Sequence, residues 1–267
     1  EKIKEYLIIS SISLVVSLYL IEGYLTFADQ LSKERLYKKQ TGNKWDGRTV
    51  LEIYKDLKKT DNNITIKVVP KNFILNNYSI FPLSGISNLK TINCNESGYY
   101  SIFESDRYGF NNPNTEWDKK KIEYLLVGDS FVHGDCVNRP NDISSVLRSL
   151  SNKSVLNLGQ GGNGSLIEYA TLREYLSSNV NKVIWVYFEG NDIGNLVNEK
   201  KNNILTNYLK DLNFTQHLKS RQNEIDNLAI NFIKEKVNTK DDIEEFTALD
   251  KFLHFIRFYN TRLLISP

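Results

Sequence analysis

The chain has 267 residues, of which 40% are hydrophobic and 25% are charged, and its formal net charge is +2. This length allows one large domain, or one domain with a smaller appendage. The composition is that of a globular protein, and so small a net charge does not indicate a nucleic-acid-binding protein.

An apolar run close to the N-terminus predicts a membrane anchor. From Tyr6 to Ile21 every residue is apolar or Ser, further apolar residues extend the run to Phe27, and Lys2 and Lys4 precede it. About 20 apolar residues span a bilayer, and no convincing signal-peptidase site follows. Residues 1–27 are therefore expected to form an uncleaved transmembrane helix, with the rest of the chain extracytoplasmic, on the periplasmic or cell-surface side. A buried helix is the alternative, although the run has no polar face.

Residues 28–120 have a loop-rich, mixed pattern. A helix is predicted from Val50 to Lys59 and a strand from Ile64 to Val69. Two polar stretches punctuated by glycine begin at Cys94 and Ser105, and such loops either are solvated turns or line a site. We expect this segment to pack on the domain that follows it.

From Lys121 onward, strands alternate with helices. The predicted strands are Ile122–Val127, Val155–Leu158 and Val183–Phe188. One helix is predicted after Pro140 with Asp142 as its N-cap, and another runs from a capping box, Ser165-Leu166-Ile167-Glu168, to about Ser178. This alternation predicts a parallel, doubly wound α/β sheet. The third strand is β-branched or aromatic throughout, so we expect it to be buried on both faces.

The remainder of the chain has a helical pattern. Predicted helices run from Gly194 to Lys210, from Leu218 to Val237 and from Ile243 to Leu264. Three strands make a small sheet, and the sequence contains no Met. We therefore expect the chain to be part of a longer protein, with residues 121–267 forming a partial domain whose other strands follow Pro267.

A polar corner that contains glycine follows each of the three predicted strands. The corners are Gly128-Asp129-Ser130, the stretch from Asn157 to Gly164, and Glu189-Gly190-Asn191-Asp192. Parallel strands place all three corners at the same edge of the sheet, which is where open α/β sheets bind their ligands. Three such corners in register indicate a site more strongly than they indicate simple turns.

The three corners resemble the sequence blocks of the SGNH hydrolases, also called the GDSL esterase and lipase superfamily. Ser130 matches the Ser of the first block, Gly162 the Gly of the second, and Asn191-Asp192 the Asn-Asp of the third. Where the family usually has Gly two positions before that Asn, this chain has Glu189. The resemblance implies a three-layer α/β/α, flavodoxin-like fold and is closest to membrane-anchored bacterial members.

The resemblance also implies an activity and a role for each matched residue. Ser130 would be the nucleophile of an ester hydrolase or acyltransferase, and the oxyanion hole would be formed by the Ser130 N–H, the Gly162 N–H and the Asn191 amide. Asp129 and Asp192 would support the corners by accepting backbone hydrogen bonds. The substrate would be a small acyl ester, an acylated carbohydrate or a lipid, and no cofactor or metal is expected.

The family's fourth block, an Asp shortly before a His, is missing from this chain. A serine nucleophile needs a base within hydrogen-bond reach. His133 follows Ser130 by one helical turn and is expected to be a supporting pocket wall or cap, while His217 is expected to be solvated. His254 has Asp250 at helical rather than family spacing. We expect the base to follow Pro267, and the chain by itself to show little turnover.

Two other functions remain open. Gly159-x-Gly161-x-x-Gly164 matches the fingerprint of a dinucleotide site, since it follows a strand and precedes a helix. However, a dinucleotide site would leave Ser130 and Asn191-Asp192 unexplained. A catalytically inactive binding or accessory module is the other alternative, because no base is evident.

The two cysteines, Cys94 and Cys136, are predicted to form a disulfide. Their number is even, and the predicted anchor places most of the chain outside the cytoplasm, where disulfides persist. The bond would hold the stretch from Asp106 to Asn112 near Ser130. Two free thiols are the alternative, and neither cysteine has a second ligand at zinc-site spacing.

Overall fold

The computed structural model describes residues 2–76, 78–239, 252, 255–259 and 261–262. The chain divides into two compact units. One, called here the long-helix unit, comprises residues 1–47, 97–99 and 242–267. The other, called here the sheet unit, comprises residues 48–96 and 100–241.

The long-helix unit is built on one helix, α1, which runs from Lys2 to Thr41. Within the described residues it is the one helix long and apolar enough to cross a bilayer. A helix over the apolar run is therefore confirmed, but it extends well beyond Phe27. The added residues are mostly strong helix formers, such as Lys, Arg, Leu and Gln, and Gly42 ends the helix in a left-handed conformation with φ +75°.

A buried acidic residue lies in the apolar part of α1. Glu22 is fully buried, and its carboxylate accepts hydrogen bonds from the backbone N–H and the hydroxyl of Thr261 at 2.8 and 2.7 Å. One turn earlier, the ring of Tyr19 packs on the rings of Phe255 and Phe258. These contacts fasten the C-terminal part of this unit to α1.

The sheet unit contains six short strands and seven α-helices among its described residues. The strands are β1 Ile64–Ile66, β2 Lys90–Ile92, β3 Ile102–Glu104, β4 Ile122–Val127, β5 Val155–Asn157 and β6 Val180–Trp185. The helices are α2 Val50–Lys58, α3 Ser130–His133, α4 Ile143–Ser151, α5 Ser165–Tyr175, α6 Asp192–Glu199, α7 Asn203–Lys210 and α8 Gln222–Thr239. Single 3₁₀ turns span Pro70–Phe73, Asn114–Asp118 and Leu218–Ser220.

The strands form two three-stranded sheets. The second sheet is entirely parallel and has the order β5-β4-β6, so the predicted parallel α/β arrangement is confirmed. The three polar corners follow the strands of this sheet. The central strand β4 has its predicted bounds and buries most of its side chains. The first sheet, β1-β2-β3, was predicted only at β1, because strands of three residues are too short to show a period.

Strand β6 is not buried on both faces as predicted. It begins at Val180, pairs with β4 alone in the part of the chain that the structure describes, and leaves Val183, Ile184 and Trp185 exposed by 37–42%. An apolar strand is buried on both faces only if a layer covers each face and a further strand covers its outer edge. The apolar run identified the strand but not its neighbours.

The predicted capping box of α5 is also wrong. The N-cap is Gly164 rather than Ser165, so Glu168 lies one position too far along to complete the box. The carboxylate of Glu199, at the end of α6, caps the helix instead and accepts hydrogen bonds from the backbone N–H groups of Gly164, Leu166 and Ile167. The helix ends at Tyr175, somewhat before the predicted Ser178.

Other predicted elements are confirmed. Helix α4 begins after Asp142, whose carboxylate accepts a hydrogen bond from the Ser145 N–H at 2.9 Å, the bond of an N-cap. Helix α2 ends one residue before the predicted Lys59. The strand predicted from Ile64 to Val69 is shorter, because a 3₁₀ turn begins at Pro70. Most of the helix predicted from Ile243 lies outside the described residues.

The structure contains the predicted disulfide. Cys94 and Cys136 are bonded, and their Cα atoms are 4.8 Å apart. Cys94 follows β2, and Cys136 lies shortly after α3. The bond therefore links the first sheet to the loop that leaves Ser130.

Removing this bond is expected to destabilise the sheet unit. The double variant Cys94→Ala/Cys136→Ala should lose about 3 to 4 kcal/mol of unfolding free energy, because the bond closes a loop with a sequence separation of 42 residues. Urea denaturation followed by circular dichroism measures the loss. Wild-type protein treated with reductant should show a similar loss, and an unchanged urea midpoint in both would contradict the prediction.

Candidate active site

The first and third corners meet at the end of the parallel sheet. Parallel pairing sets Val127 beside Trp185, so both chains leave the sheet at the same level. Gly128 then lies so close to the third strand that a β-carbon there would be 2.8 Å from the Val186 carbonyl oxygen. The rings of Phe131 and Phe188 pack 5.0 Å apart.

The second corner is bonded to the other two. The Gln160 N–H donates to the Gly128 carbonyl at 3.4 Å, which joins it to the first corner. From α6, the Asn195 side-chain amide donates to the carbonyls of Gly162 and Asn163, both at 3.3 Å. All three corners therefore share one edge of the sheet, and the second is bonded directly to the first and, through α6, linked to the third.

Ser130 is the first residue of the short helix α3. Asp129 is its N-cap, and one carboxylate oxygen accepts from the Phe131 N–H at 3.0 Å. The Ser130 hydroxyl is half-buried and lies 3.4 Å from the other Asp129 oxygen, a weak contact. Asp129 therefore holds the turn that presents Ser130.

Asn191 and Asp192 have different surroundings. Asp192 is fully buried and accepts a hydrogen bond from the Phe188 N–H at 2.7 Å, which fixes the third corner. Asn191 precedes α6 but makes no side-chain capping bond, and its Oδ1 atom has no partner within the described part of the chain. The Asn191 side chain is therefore not used to hold the fold.

Gly162 occupies a position that favours glycine. Its φ angle is +69°, in the left-handed region, and a β-carbon there would lie 2.6 Å from the Nζ atom of Lys71. Among the described residues, no hydrogen bond uses the Gly162 N–H. The described part of the fold therefore does not use this N–H.

None of the described histidines is bonded to Ser130. His133 is completely buried: its ring packs edge-on against Phe103, and its Nδ1 atom lies 2.7 Å from an Asp135 oxygen. Burial, together with the nearby Lys67 charge, lowers the His133 pKa and keeps the ring neutral. His217 is exposed before a 3₁₀ turn, and His254 lies outside the described residues.

The sequence did not predict a cluster of charged residues that lies beside the second corner. Lys67 forms an ion pair with Asp135, and a β-carbon at Gly161 would lie within 3.0 Å of both side chains. Burial would raise the Asp135 pKa, but Lys67 and His133 hold it well below its usual range. Burial, then repulsion from Lys67, lowers the Lys71 pKa to about 8. Both lysines precede the second sheet in the chain, so no local pattern places them there.

The loop after β3 is hydrogen-bonded to residues of the candidate site. The side-chain amide of Asn111 donates to the His133 carbonyl at 2.9 Å, and that of Asn112 donates to the Asn157 carbonyl at 2.8 Å. The Gln160 side chain donates to the Gly109 carbonyl at 3.2 Å. This loop therefore contacts the first and second corners through buried hydrogen bonds.

Glu168 on α5 is a buried carboxyl with few donors. It accepts one hydrogen bond, from the Trp185 indole at 2.6 Å, and its other oxygen has no partner among the described residues. Burial raises the pKa of Glu168 to about 8; the bond from Trp185 lowers it, while the Asp192 and Asp129 charges add to the rise. When folding raises the pKa of a carboxyl, the protein loses stability as the pH rises from the pKa in the unfolded state to the pKa in the folded state.

Glu168→Gln is therefore expected to stabilise the sheet unit at alkaline pH. The wild type should lose about 2 kcal/mol or more of unfolding free energy between pH 5 and pH 8, since each unit of pKa difference corresponds to about 1.4 kcal/mol. The variant keeps an acceptor for Trp185 and should show a smaller loss, which comes from the other buried carboxyls with raised pKa values, such as Glu199. Urea titrations at several pH values measure it.

Glu174, on the same helix, provides the contrasting control. Its carboxylate accepts hydrogen bonds from four donors: the Tyr208 and Thr215 hydroxyls and the Gln216 and Leu218 N–H groups. Glu174→Gln should destabilise by about 2 to 4 kcal/mol, because an amide cannot accept from all four. Equal effects of the two Gln variants would contradict this account of both carboxyls.

The structure leaves little room for a dinucleotide at Gly159-x-Gly161-x-x-Gly164. A pyrophosphate would need the free N–H groups at the start of α5. The Glu199 carboxylate already accepts from three of them, including the Gly164 N–H. Within the described ranges, no group of three or more His, Cys, Asp or Glu residues is placed to hold a metal ion.

Comparison with models of protein families, with curated proteins and with solved structures gives no match to this chain.

Proposed function

We propose that the chain is a serine esterase, acyl hydrolase or acyltransferase of the SGNH type, with Ser130 as its nucleophile. The observation that carries the proposal is the convergence of three polar strand ends at one edge of the parallel sheet. A Gly128–Gln160 hydrogen bond joins the first two corners, and Asn195, on the helix after the third corner, is bonded to Gly162. Turns that only reverse the chain need no such contacts. The resemblance of the three corners to the SGNH blocks supplies the chemistry.

In this reaction the Ser130 oxygen attacks the carbonyl carbon of an ester while a general base takes the proton of its hydroxyl. The carbonyl oxygen becomes an oxyanion, which accepts hydrogen bonds from the Ser130 N–H, the Gly162 N–H and the Asn191 side-chain amide. Collapse expels the alcohol, which receives that proton from the base, and leaves an acyl group on Ser130. Water, or the hydroxyl of an acceptor, then takes the acyl group and restores the serine.

Two features support the assignment of the oxyanion donors. The Gly162 N–H and the Asn191 side-chain amide make no hydrogen bonds within the described residues, so neither group is committed to the fold there. Asp129 and Asp192 do accept backbone hydrogen bonds, which suits residues that hold the corners in place.

We further propose that the sheet unit acts outside the cytoplasm, attached to the membrane by α1. The support is the apolar length of α1, the Lys residues at its start, and the Cys94–Cys136 disulfide, since disulfides persist in oxidising compartments. A small acyl ester, an acylated carbohydrate or a lipid would be the substrate in that location.

A binding module is the second candidate. The observation that favours it is that no described histidine is hydrogen-bonded to Ser130, and His133 is buried against Asp135 and Phe103. Such a protein would bind an acylated ligand at the same corners without forming a covalent bond.

Acetylation by p-nitrophenyl acetate separates the two functions. The full-length protein is incubated with the ester, quenched in acid and analysed by intact mass and peptide mapping. The hydrolase predicts one acetyl group on Ser130, which is absent in Ser130→Ala and retained in the control variant Ser151→Ala. Equal acetylation of wild type and Ser130→Ala, or none in either, would reject the nucleophile and favour the binding module.

A further inference from the structure

Part of the long-helix unit packs on α1 within its apolar run. This part, called here the C-terminal segment, comprises the described residues 252, 255–259 and 261–262. The centroid of the Tyr19 ring lies 5.5 Å from that of Phe255 and 4.4 Å from that of Phe258. A β-carbon at Gly23 would lie 3.7 Å from the Phe255 ring. Phe255 and Phe258 therefore lie against positions 19–23 of α1.

A buried carboxyl lies at the centre of this contact. Glu22 is the only charged residue between Glu5 and Asp29. It is fully buried, and its carboxylate accepts hydrogen bonds from the N–H and the hydroxyl of Thr261. An ionisable side chain inside a bilayer is costly unless protein groups separate it from lipid. The C-terminal segment therefore gives Glu22 the kind of polar, protein-lined surroundings that it needs within an apolar run.

The depth of the contact follows from its position along α1. The apolar residues extend to Phe27, and Glu22 lies five residues earlier. At about 1.5 Å per residue, Glu22 lies about 8 Å inside the end of the apolar run. Amphipathic segments that lie in the plane of a membrane bury their apolar faces by about 5 to 10 Å at the boundary between headgroups and acyl chains. The contact is thus at the depth of an interfacial segment.

The C-terminal segment also exposes large apolar side chains. Phe252 is exposed by 57% and Ile256 by 40%. Arg257 and Arg262 are exposed as well, and the sequence from Phe252 to Arg262 contains four aromatic residues and no acidic one. Aromatic rings are enriched at the level of the lipid headgroups, and long basic side chains reach the anionic lipid phosphates from there. The composition of this surface therefore matches a lipid interface.

We propose that the C-terminal segment lies in the interfacial region of the bilayer, beside the end of the apolar run of α1, with Phe252 and Ile256 inserted among the lipid acyl chains. Arg257 and Arg262 then contact the headgroup phosphates. This position rests on the membrane attachment by α1 that is proposed above, and it adds a second contact with the membrane to the one made by α1.

Fluorine NMR of the full-length protein in phospholipid nanodiscs tests the proposal. Leu14, Leu36, Phe252 and Ile256 are replaced one at a time by 4-trifluoromethylphenylalanine, so that each sample has a single fluorinated site. Dissolved oxygen, which concentrates among the acyl chains, and a water-soluble nickel chelate each broaden the signals that they reach. Leu14 and Leu36 are exposed residues of α1. Leu14 lies within the apolar run and is the lipid reference, and Leu36 lies nine residues past Phe27 and is the water reference.

The signals of positions 252 and 256 are expected to behave like that of position 14. Oxygen should broaden both of them, and the nickel broadening that position 36 shows should be lost. If nickel broadens either signal as it does that of position 36, the side chain lies in water and the proposal is overturned. Signals that neither reagent broadens would also overturn it, because protein, such as a second copy of the chain, would then cover the surface instead of lipid.

The reference positions distinguish a failure of this proposal from a failure of the proposed function. Nickel broadening at position 14 would reject membrane attachment by α1 and the interfacial segment together. Nickel broadening at position 252 or 256, with position 14 shielded, would reject the interfacial segment alone. Acetylation of Ser130 by p-nitrophenyl acetate, measured on the same samples, reports on the esterase independently of both.

Discussion

Replacing Asp106 by alanine is expected to lower the unfolding free energy of the sheet unit by about 4 to 6 kcal/mol, the largest stability effect of any single substitution considered. Asp106 is completely buried. Its carboxylate accepts hydrogen bonds from four donors at 2.7–3.0 Å, namely the Tyr108 N–H, the Phe110 N–H, the Asn112 amide and the Trp117 indole. Alanine would leave these donors buried without an acceptor.

The consequence should reach the active site. Asn112, which donates to Asp106, also donates to the Asn157 carbonyl and accepts from the Asn157 N–H. Strand β5 ends at Asn157 and leads directly into the second corner. Loss of Asp106 should therefore loosen the position of Gly162 as well as reduce stability.

Urea denaturation of Asp106→Ala measures this effect, with Asp118→Ala as the matched control. Asp118 is exposed and pairs with Arg107 on the surface, so its removal should leave the unfolding free energy nearly unchanged. If the two variants are equally stable, the buried acceptor does not have the structural role assigned to it.

Replacing Asn191 by alanine is expected to slow acylation of Ser130 by about 100-fold or more, while folding stays intact. Removal of one oxyanion donor typically costs about 100- to 1,000-fold in rate. The Asn191 side chain makes no capping bond to α6, so its loss removes no contact that holds the helix. The acetylation rate under p-nitrophenyl acetate provides the measurement.

Asn198→Ala is the matched control for this prediction. Asn198 lies on the same helix, is exposed, and accepts a hydrogen bond from Lys201 at 2.7 Å. This variant should be acetylated at the wild-type rate. If Asn191→Ala reacts as fast as Asn198→Ala, Asn191 is not a donor of the oxyanion hole.

The parts of the fold that sequence predicted best depend on local signals. Strand β4 is a continuous apolar run that ends at a glycine corner, and its bounds are as predicted. Helix α4 begins at Asp142 because an Asp side chain can accept from the N–H groups of the first turn. The Cys94–Cys136 bond was predictable because only two cysteines are present.

The parts that sequence did not predict depend on neighbours that are distant in the chain. The carboxylate that caps α5 belongs to Glu199 on another helix, so the local Ser165–Glu168 pattern was misleading. The exposure of β6 depends on which strands and layers lie beside it, and its own apolar residues do not encode that.

The candidate site divides in the same way. The three corners could be located from the sequence, because each follows a strand and parallel strands end at a common edge. Lys71 could not, because it lies about 90 positions before Gly162 in the sequence and only the fold brings its side chain beside that glycine. The position of His133 three residues after Ser130 also does not predict that its ring is buried against Asp135 and Phe103.

The most direct test of the central claim, that the three corners form one acyl-transfer site, uses a p-nitrophenyl alkylphosphonate. This reagent gives a stable tetrahedral adduct on an activated serine, with an oxygen in the place of the oxyanion. Modification of the full-length protein is followed by intact mass, and the modified residue is identified by peptide mapping. The account predicts one adduct per chain, on Ser130, that forms at least about 100-fold more slowly in Asn191→Ala. An adduct on another residue, no adduct, or an Asn191→Ala rate equal to that of the wild type would contradict it.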